Sequence, residues 1–357
     1  MPDARQHDRL GPESPDSMVD LSFPVGAALD GDGTVIRVDR GAATVEFGDA
    51  VLRVSWGGAL LAAVAEDPEA LPCTGDRVAW RRWPDGRLTL EAVHPRRTLL
   101  ARGQSSGSSR RQLLAANVDV VAVVEGLLPD PDPVRVERLL SLAWASGAEP
   151  VVVLTKADLV PDPAVAGAEL LAAGTGCRII TVSSVTGEGI AEVSALLDGG
   201  RTLALLGASG VGKSSLLNAL IGDEVMLVRG LRMDGKGRHT TVTRELHRVG
   251  AGAVIDSPGL RSVGLGESDG VDQAFGDVLA HAGECRFSDC THQHEPGCAV
   301  LAAVEAGDLP RRRLESWRKL SAEGRWQEVR RDARLMAEQT RQRRVQARQM
   351  RRQGWRP

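Results

Sequence analysis

No apolar run in this 357-residue chain reaches the roughly 18 to 20 positions that a membrane span requires. The first twenty residues carry Asp3, Arg5, Asp8, Glu13 and Asp16 among glycine and proline, so an apolar signal-peptide core is missing too. Cysteine is scarce, and its count of five is odd. Cys285, Cys290 and Cys298 crowd into one short segment, whereas Cys73 and Cys177 lie far away as ordinary buried thiols. That distribution argues against a disulfide framework and favours a metal site in a reducing compartment. Internal repeats are absent. A cytoplasmic protein without a membrane partner is the expectation.

What is present is ordinary in bulk. With 42% hydrophobic and 25% charged residues, the composition is that of a soluble globular protein long enough for two or three domains. The net charge of −3 hides an asymmetry. Residues 311–357 hold 16 Lys or Arg against 5 Asp or Glu, a net of +11 that leaves −14 on residues 1–310. A basic end on an acidic body suits a polyanionic partner.

Residues 1–20 read as a disordered tail, being polar and proline-rich. Within 21–98, five short β-type segments (33–38, 43–47, 51–56, 76–82 and 88–93) alternate with turns such as Asp30-Gly31-Asp32-Gly33 and Pro84-Asp85-Gly86. They predict a small β-barrel of the OB-fold kind, with another small or SH3-like barrel as the alternative. A linker is expected over 99–116, where Gly103 to Arg111 is flexible and polar. From 117 to 270, strands rich in Val, Ile and Leu (118–124, 150–154, 178–182, 202–206, 253–255) alternate with helical stretches such as 134–146 and 214–220. This α/β alternation predicts a mostly parallel sheet covered on both faces. A metal segment with helices follows over 271–335, where Trp317, Leu320 and Trp326 offer an apolar stripe. A basic tail fills 336–357.

Gly207-Ala208-Ser209-Gly210-Val211-Gly212-Lys213-Ser214-Ser215 fits the phosphate-loop pattern GxxxxGK[ST], and it lies between a strand and a helix as that motif requires. Glycines let backbone N–H groups turn inward around phosphate oxygens. Lys213 brings charge to the β and γ phosphates, Ser214 offers a hydroxyl to Mg²⁺, and the helix N-terminus adds a favourable dipole.

Base choice has to come from elsewhere. Thr155-Lys156-Ala157-Asp158, after strand 151–154, resembles the NKxD motif of regulatory GTPases, in which the Asp carboxylate accepts from guanine N1 and N2. Thr155 stands where Asn is usual, which removes an amide contact. Ser183-Ser184-Val185-Thr186-Gly187 resembles the loop that lines the guanine edge. Asp256-Ser257-Pro258-Gly259 resembles the DxxG switch, with Asp256 on Mg²⁺ through water and the Gly259 N–H at the γ phosphate. In Gly237-Arg238-His239-Thr240-Thr241, Thr241 is the favoured Mg²⁺ ligand. The guanine motifs precede the phosphate loop and the switch, the reverse of the ordinary order. A circular permutation of a P-loop GTPase domain accounts for this, since joining the old termini and cutting elsewhere preserves the site.

Cys285-x4-Cys290-x-His292-x5-Cys298 offers three thiolates and an imidazole within 14 residues, enough for a closed tetrahedral Zn²⁺ site of structural role, with His294 and His281 as the nearest competitors to His292.

An OB-like barrel, permuted GTPase motifs, a GRHTT loop and this Cys/His segment together resemble the RsgA-like family of bacterial GTPases that depend on the small ribosomal subunit. The resemblance covers residues 30 to 330. It implies a factor that binds the 30S subunit and its 16S rRNA, hydrolyses GTP faster there, acts late in subunit maturation and helps other assembly factors leave. A monomer with one Zn²⁺, and Mg²⁺ with its GTP, is expected. Leu260 follows Gly259 where many GTPases place a Gln that orients water, so intrinsic turnover should be slow. His239 is the candidate that supplies the missing polar group, with Lys213 as the other catalytic residue. Because DxxG leads within about 30 residues into the metal segment, γ-phosphate loss is expected to move that segment. Two rival readings remain: a nucleotide-gated rRNA-binding module with incidental hydrolysis, and an ATP-using P-loop enzyme, which Asp158 argues against.

Overall fold

The computed structural model describes residues 29–103, 111–172, 176–222, 244–257 and 269–326, with single helical residues at 329, 333 and 337. His239, Thr241, Gly259, the 1–20 segment and the basic tail lie outside the described residues. With four Phe and no Tyr in the chain, the cores are built chiefly of Val, Leu, Ile and Ala.

Strands β1 (Leu29–Asp39), β2 (Ala42–Phe47), β3 (Ala50–Trp56), β4 (Arg77–Arg82) and β5 (Leu88–Val93) form the first unit. β1 pairs with both β2 and β4, β2 with β3, β3 in parallel with β5, and β5 with β4. The circuit 1-2-3-5-4-1 closes a five-stranded barrel of OB-fold type. Period-two alternation sends Val35, Val45, Val54, Val78 and Leu90 inward. Helix α1 (Gly58–Glu66), which the turn-rich reading of the sequence missed, packs Leu60 against them. A bulge between Val35 and Arg37 interrupts the β1 register. Ile36 at that bulge packs instead against the core of the second unit, as bulges commonly re-aim one side chain.

Residues 99–116 are not a plain linker. β6 (Leu99–Gly103) and β7 (Arg111–Ala116) pair as an antiparallel ribbon, because Leu100 and Leu114 are fully buried in the main core.

The second unit holds β8 (Val120–Gly126), α2 (Pro133–Ala145), β9 (Glu149–Thr155), α3 (Pro163–Ala172), β10 (Arg178–Thr181), α4 (Ile190–Ser194), β11 (Thr202–Leu206), α5 (Lys213–Ile221), β12 (Glu245–Val249) and β13 (Gly252–Asp256). Its strands lie in the order β10-β9-β8-β11-β13-β12, parallel except for β12. α2 begins at an Asp132 cap, whose carboxylate accepts from the N–H groups of Val134 and Arg135, with Pro133 at the first helical position. Val120, Val124 and Val254 face α4 and α5, while Val121, Val123 and Ile255 face α2. This is the doubly covered sheet that the hydrophobic runs require.

The C-terminal helices are α6 (Asp269–Ala274), α7 (Gly276–Ala282), α8 (Ala299–Ala306) and α9 (residues 311–326). They do not form an appendage. Val271, Phe275, Val278, Val300, Leu314 and Leu320 belong to the same core as Val136, Leu139 and Leu140 of α2. A Cβ on Gly270 would fall 2.0 Å from the Ser141 carbonyl, so only glycine permits α6 to cross α2 this closely. Fully buried Arg313 pairs with buried Glu137 of α2 at 3.1 Å and with Asp277 at 2.8 Å, its guanidinium 4.0 Å from the Phe275 ring centre. Arg312 and Ser316 also reach Glu137, at 2.9 and 2.6 Å. The apolar stripe holds for Leu320 and Trp317, but Trp326 is 54% exposed.

Candidate nucleotide site and metal centre

The carboxyl ends of β8, β9, β11 and β13 converge at one edge of the sheet, where open α/β sheets bind ligands. β11 ends at Leu206 and α5 starts at Lys213, so the phosphate loop is the turn between them. Gly210 (φ +82°) and Gly212 (φ +101°) take left-handed backbone that side-chain-bearing residues avoid. A Cβ on Gly207 would sit 2.3 Å from the Val124 carbonyl of β8. Ser209, Gly210, Ser214 and Ser215 are exposed at the mouth, whereas Val211 is buried and Ala208 half-buried beneath it. The Lys213 ammonium folds over the loop, donating to the carbonyls of Gly207 at 3.0 Å and Ala208 at 2.7 Å. Burial pushes it below the usual lysine range, and the Asp256 carboxylate pulls it the other way. Asp256 closes β13, 3% exposed and in register with Leu205 of β11. Oxygen donors on Asp256 and Ser214 at the same sheet edge are the hard ligands Mg²⁺ prefers.

The base-facing loops are fastened to this frame. Thr155, 2% exposed at the end of β9, donates its hydroxyl to the Val211 carbonyl in a very short contact, with the Glu125 carbonyl at 3.3 Å. It braces the phosphate loop from behind, and its single proton is directed there rather than toward the open face. Lys156 takes left-handed backbone (φ +64°) and donates to the Leu128 carbonyl at 2.8 Å, pinning the loop before α2. Asp158 is exposed, with one carboxylate oxygen accepting from the Ser183 hydroxyl at 2.7 Å. Fully buried Ser183 in turn accepts from the N–H groups of Val185 and Thr186, with half-buried Ser184 beside it. The 155–158 and 183–187 loops are therefore one unit.

The arrangement makes a sharp expectation for Asp158→Asn. Removing the carboxylate deletes two charge-assisted acceptors for guanine N1–H and N2–H₂, at about 1.5 kcal/mol or more each. Guanosine diphosphate affinity should fall by about 10²-fold while xanthosine diphosphate gains relative to it. A competition assay reads this, and unchanged discrimination would remove Asp158 from the base site.

Cys285, Cys290, His292 and Cys298 bring one donor atom each to within 4.8 Å of one another. His292 Nδ1 lies 3.5 Å from Cys285 Sγ and 3.4 Å from Cys298 Sγ. His292 sits in a tight left-handed turn (φ +58°), its ring 5.5 Å from that of Trp317. Cys298 also caps α8, its sulfur accepting from the Leu301 N–H at 3.4 Å. Three sulfurs and an imidazole are a donor set for a soft, tetrahedral divalent ion. Glu295, for which the sequence carries no signal, orders the ligand loop. It accepts from the Thr291 side chain and from the N–H groups of Thr291, Gln293 and His294, and these donors hold its carboxyl far below the usual range. Burial pushes the Cys177 thiol up to about 11, and Cys73 is raised as well, as expected of inert core thiols.

A phosphate loop on the central strand, a switch aspartate on its neighbour and base-reading loops that come earlier in the chain define a circularly permuted P-loop GTPase. It carries an OB-type barrel in front and a Cys₃His centre behind. The model of the RsgA GTPase family matches residues 93–266. Small ribosomal subunit biogenesis GTPase RsgA of Streptomyces coelicolor is 47% identical over 329 residues, spanning 90% of this chain and 88% of that protein. The protein of the same name from Streptomyces avermitilis is 50% identical over 316 residues, 86% of this chain and 83% of its own length. The chain belongs to the RsgA GTPase family. Among solved structures, YjeQ from Thermotoga maritima is similar with a TM-score of 0.59 and 28% identity, covering 83% of this chain and 98% of its own. YloQ, a circularly permuted GTPase, shares the fold with a TM-score of 0.57 at 24% identity, covering 83% of this chain and 96% of its own.

Proposed function

We propose that this GTPase binds the small ribosomal subunit through its 16S rRNA, hydrolyses GTP to GDP and phosphate faster when bound, and so assists late subunit maturation and the departure of other assembly factors. The observation that carries the reading is the pairing of a permuted nucleotide frame with relatives named for small-subunit biogenesis along nearly the whole chain. It works as a monomer in the cytoplasm. The acidic body and basic C-terminal end suit rRNA.

Asp256, Ser214 and Thr241 would hold Mg²⁺, which would offset charge on the phosphates of bound GTP. Lys213 would draw charge from the γ phosphate, and the Gly259 N–H would sense that phosphate. Asp158, with Lys156 and Ser184, holds the guanine. Leu260 cannot orient water, so His239 supplies that role once the subunit orders its loop. His239→Ala should then abolish subunit-stimulated turnover while leaving nucleotide binding intact, and stimulation that survives the change rejects the role. Leu260 also favours a second reading, a nucleotide-gated rRNA-binding module in which hydrolysis is incidental. GTP turnover measured with and without purified small subunits separates the two: no stimulation favours the module.

The ion at the Cys₃His centre is Zn²⁺ in this reading, held by Cys285, Cys290, His292 and Cys298 and structural because the four donors close the site. Elemental analysis should find about one zinc per chain. Cys298→Ser, whose hydroxyl can still cap α8, should lose the ion and lower the unfolding midpoint. Full zinc retention in that variant would contradict the ligand set.

A further inference from the structure

β12 is the edge strand of the GTPase sheet, and an open edge is a template for an added strand. Here the barrel occupies it: β1 pairs antiparallel with β12, making one eleven-stranded sheet of the two units. The position of that join is informative. β12 starts four residues after Thr241, and its hairpin partner β13 ends at Asp256, so the barrel is fastened to the hairpin between the two switch motifs. One row runs straight across it. Arg37 of β1 stands opposite Glu245 of β12, which stands opposite Asp256 of β13. Residues opposite each other in an antiparallel ladder lie about 4.5–5.5 Å apart at Cα, so the switch aspartate is two ladder steps from the barrel.

Other contacts fix the join. Arg248 of β12 forks onto Glu46 of β2, with Nε 2.9 Å from Oε2 and 3.3 Å from Oε1 and Nη2 closer still. Ile36 enters the GTPase core at the bulge. The Asn117 amide donates to the Gly75 carbonyl at 3.0 Å, and the Ala116 N–H to the Thr74 carbonyl at 2.9 Å. The metal-bearing helices pack chiefly on α2, in the core that also holds Leu246 and Ile255.

We infer that the barrel is an in-chain effector of the nucleotide site. Glu46 and Arg248 are positioning residues through which docking of the small subunit against the barrel reaches the β12–β13 hairpin and Asp256. The inference rests on the subunit-stimulated GTPase reading above and names where the stimulus enters.

The test uses the full chain in four forms: wild type, Glu46→Arg, Arg248→Glu and the double swap. GTP turnover is measured with and without purified small subunits, alongside GDP affinity. A reversal sets like charges face to face, a juxtaposition costly enough to disturb the join. Each single reversal should keep basal turnover and GDP affinity within about twofold and lose at least about fivefold of the stimulation, and the swap should restore most of it. Glu46→Gln, which only neutralises the pair, should show a smaller loss and serves if a reversal fails to fold. Stimulation equal to wild type in Glu46→Gln and the reversals overturns the inference. So does an equal fall of basal and stimulated turnover, the mark of a merely structural contact. Absence of stimulation in the wild type would sink the functional reading itself and the inference with it, an outcome visible before any variant is compared.

Discussion

Lys213→Met should abolish measurable GTP turnover, with a loss of about 10²–10³-fold or more at saturating subunit. The loss is electrostatic in origin. The Lys213 ammonium is 7% exposed and held over the loop by two of its own carbonyls, so its charge acts in a medium that screens little. Methionine keeps most of the stem and volume and deletes the charge together with the two hydrogen bonds to the loop. Charge developing on the γ phosphate would then be offset without the ammonium, by Mg²⁺ and backbone N–H groups. Nucleotide affinity should fall less than turnover, because the glycine turns and the guanine loops remain. Stopped-assay phosphate release with a fluorescent GDP titration reads both numbers. Turnover within tenfold of wild type would show that the loop backbone carries the catalysis.

The second large effect concerns stability. Arg313→Met should cost about 3 kcal/mol, because breaking a buried ion pair from one side leaves its partners uncompensated. Arg313 serves Glu137 and Asp277 together and lies on the Phe275 ring. Its loss leaves Glu137, 1% exposed, with Arg312 and Ser316 only. Urea unfolding should show a lower midpoint at an unchanged slope. Loosening of the metal-bearing helices alone would appear as a second transition instead. A change below about 0.5 kcal/mol would mean that Arg312 takes over.

Much of this was legible in the sequence, for physical reasons that differ by region. Strands such as Val120–Gly126 and Thr202–Leu206 are buried on both faces, so they appear as unbroken aliphatic runs. The phosphate loop is legible because its glycines answer a backbone requirement local to nine residues. The Cys/His spacing is legible because ligand chemistry restricts residue type. What escaped depends on pairings distant in sequence. β12 (Glu-Leu-His-Arg-Val) has one buried residue, Leu246, and reads as a strand only beside β1 and β13. β6 and β7 looked like linker because the Ser-rich stretch between them dominates the composition. The Glu137–Arg313 pair joins residues far apart in the chain, each of which alone looks like surface charge. Thr155 appeared as a lost base contact. Its contact with the Val211 carbonyl requires knowing that β9 and β11 flank β8 and end at the same edge of the sheet.

The order of strands in the sheet also governs how the molecule is made. β11 lies between β8, which precedes it in the chain, and β13, which follows. Synthesis delivers the N-terminal part first. The 155–158 and 183–187 loops, proposed to read guanine, are therefore complete on β9 and β10 while the phosphate loop is still untranslated, and β8 presents an open edge until β11 emerges to fill it. The barrel waits longer still, since β1 is among the first strands made and its partner β12 among the last. Nucleotide cannot template the early stages of folding, for the half that grips phosphate arrives only after the half that recognises the base. A nascent chain halted before Asp256 would hold a base-reading surface with no switch attached to it.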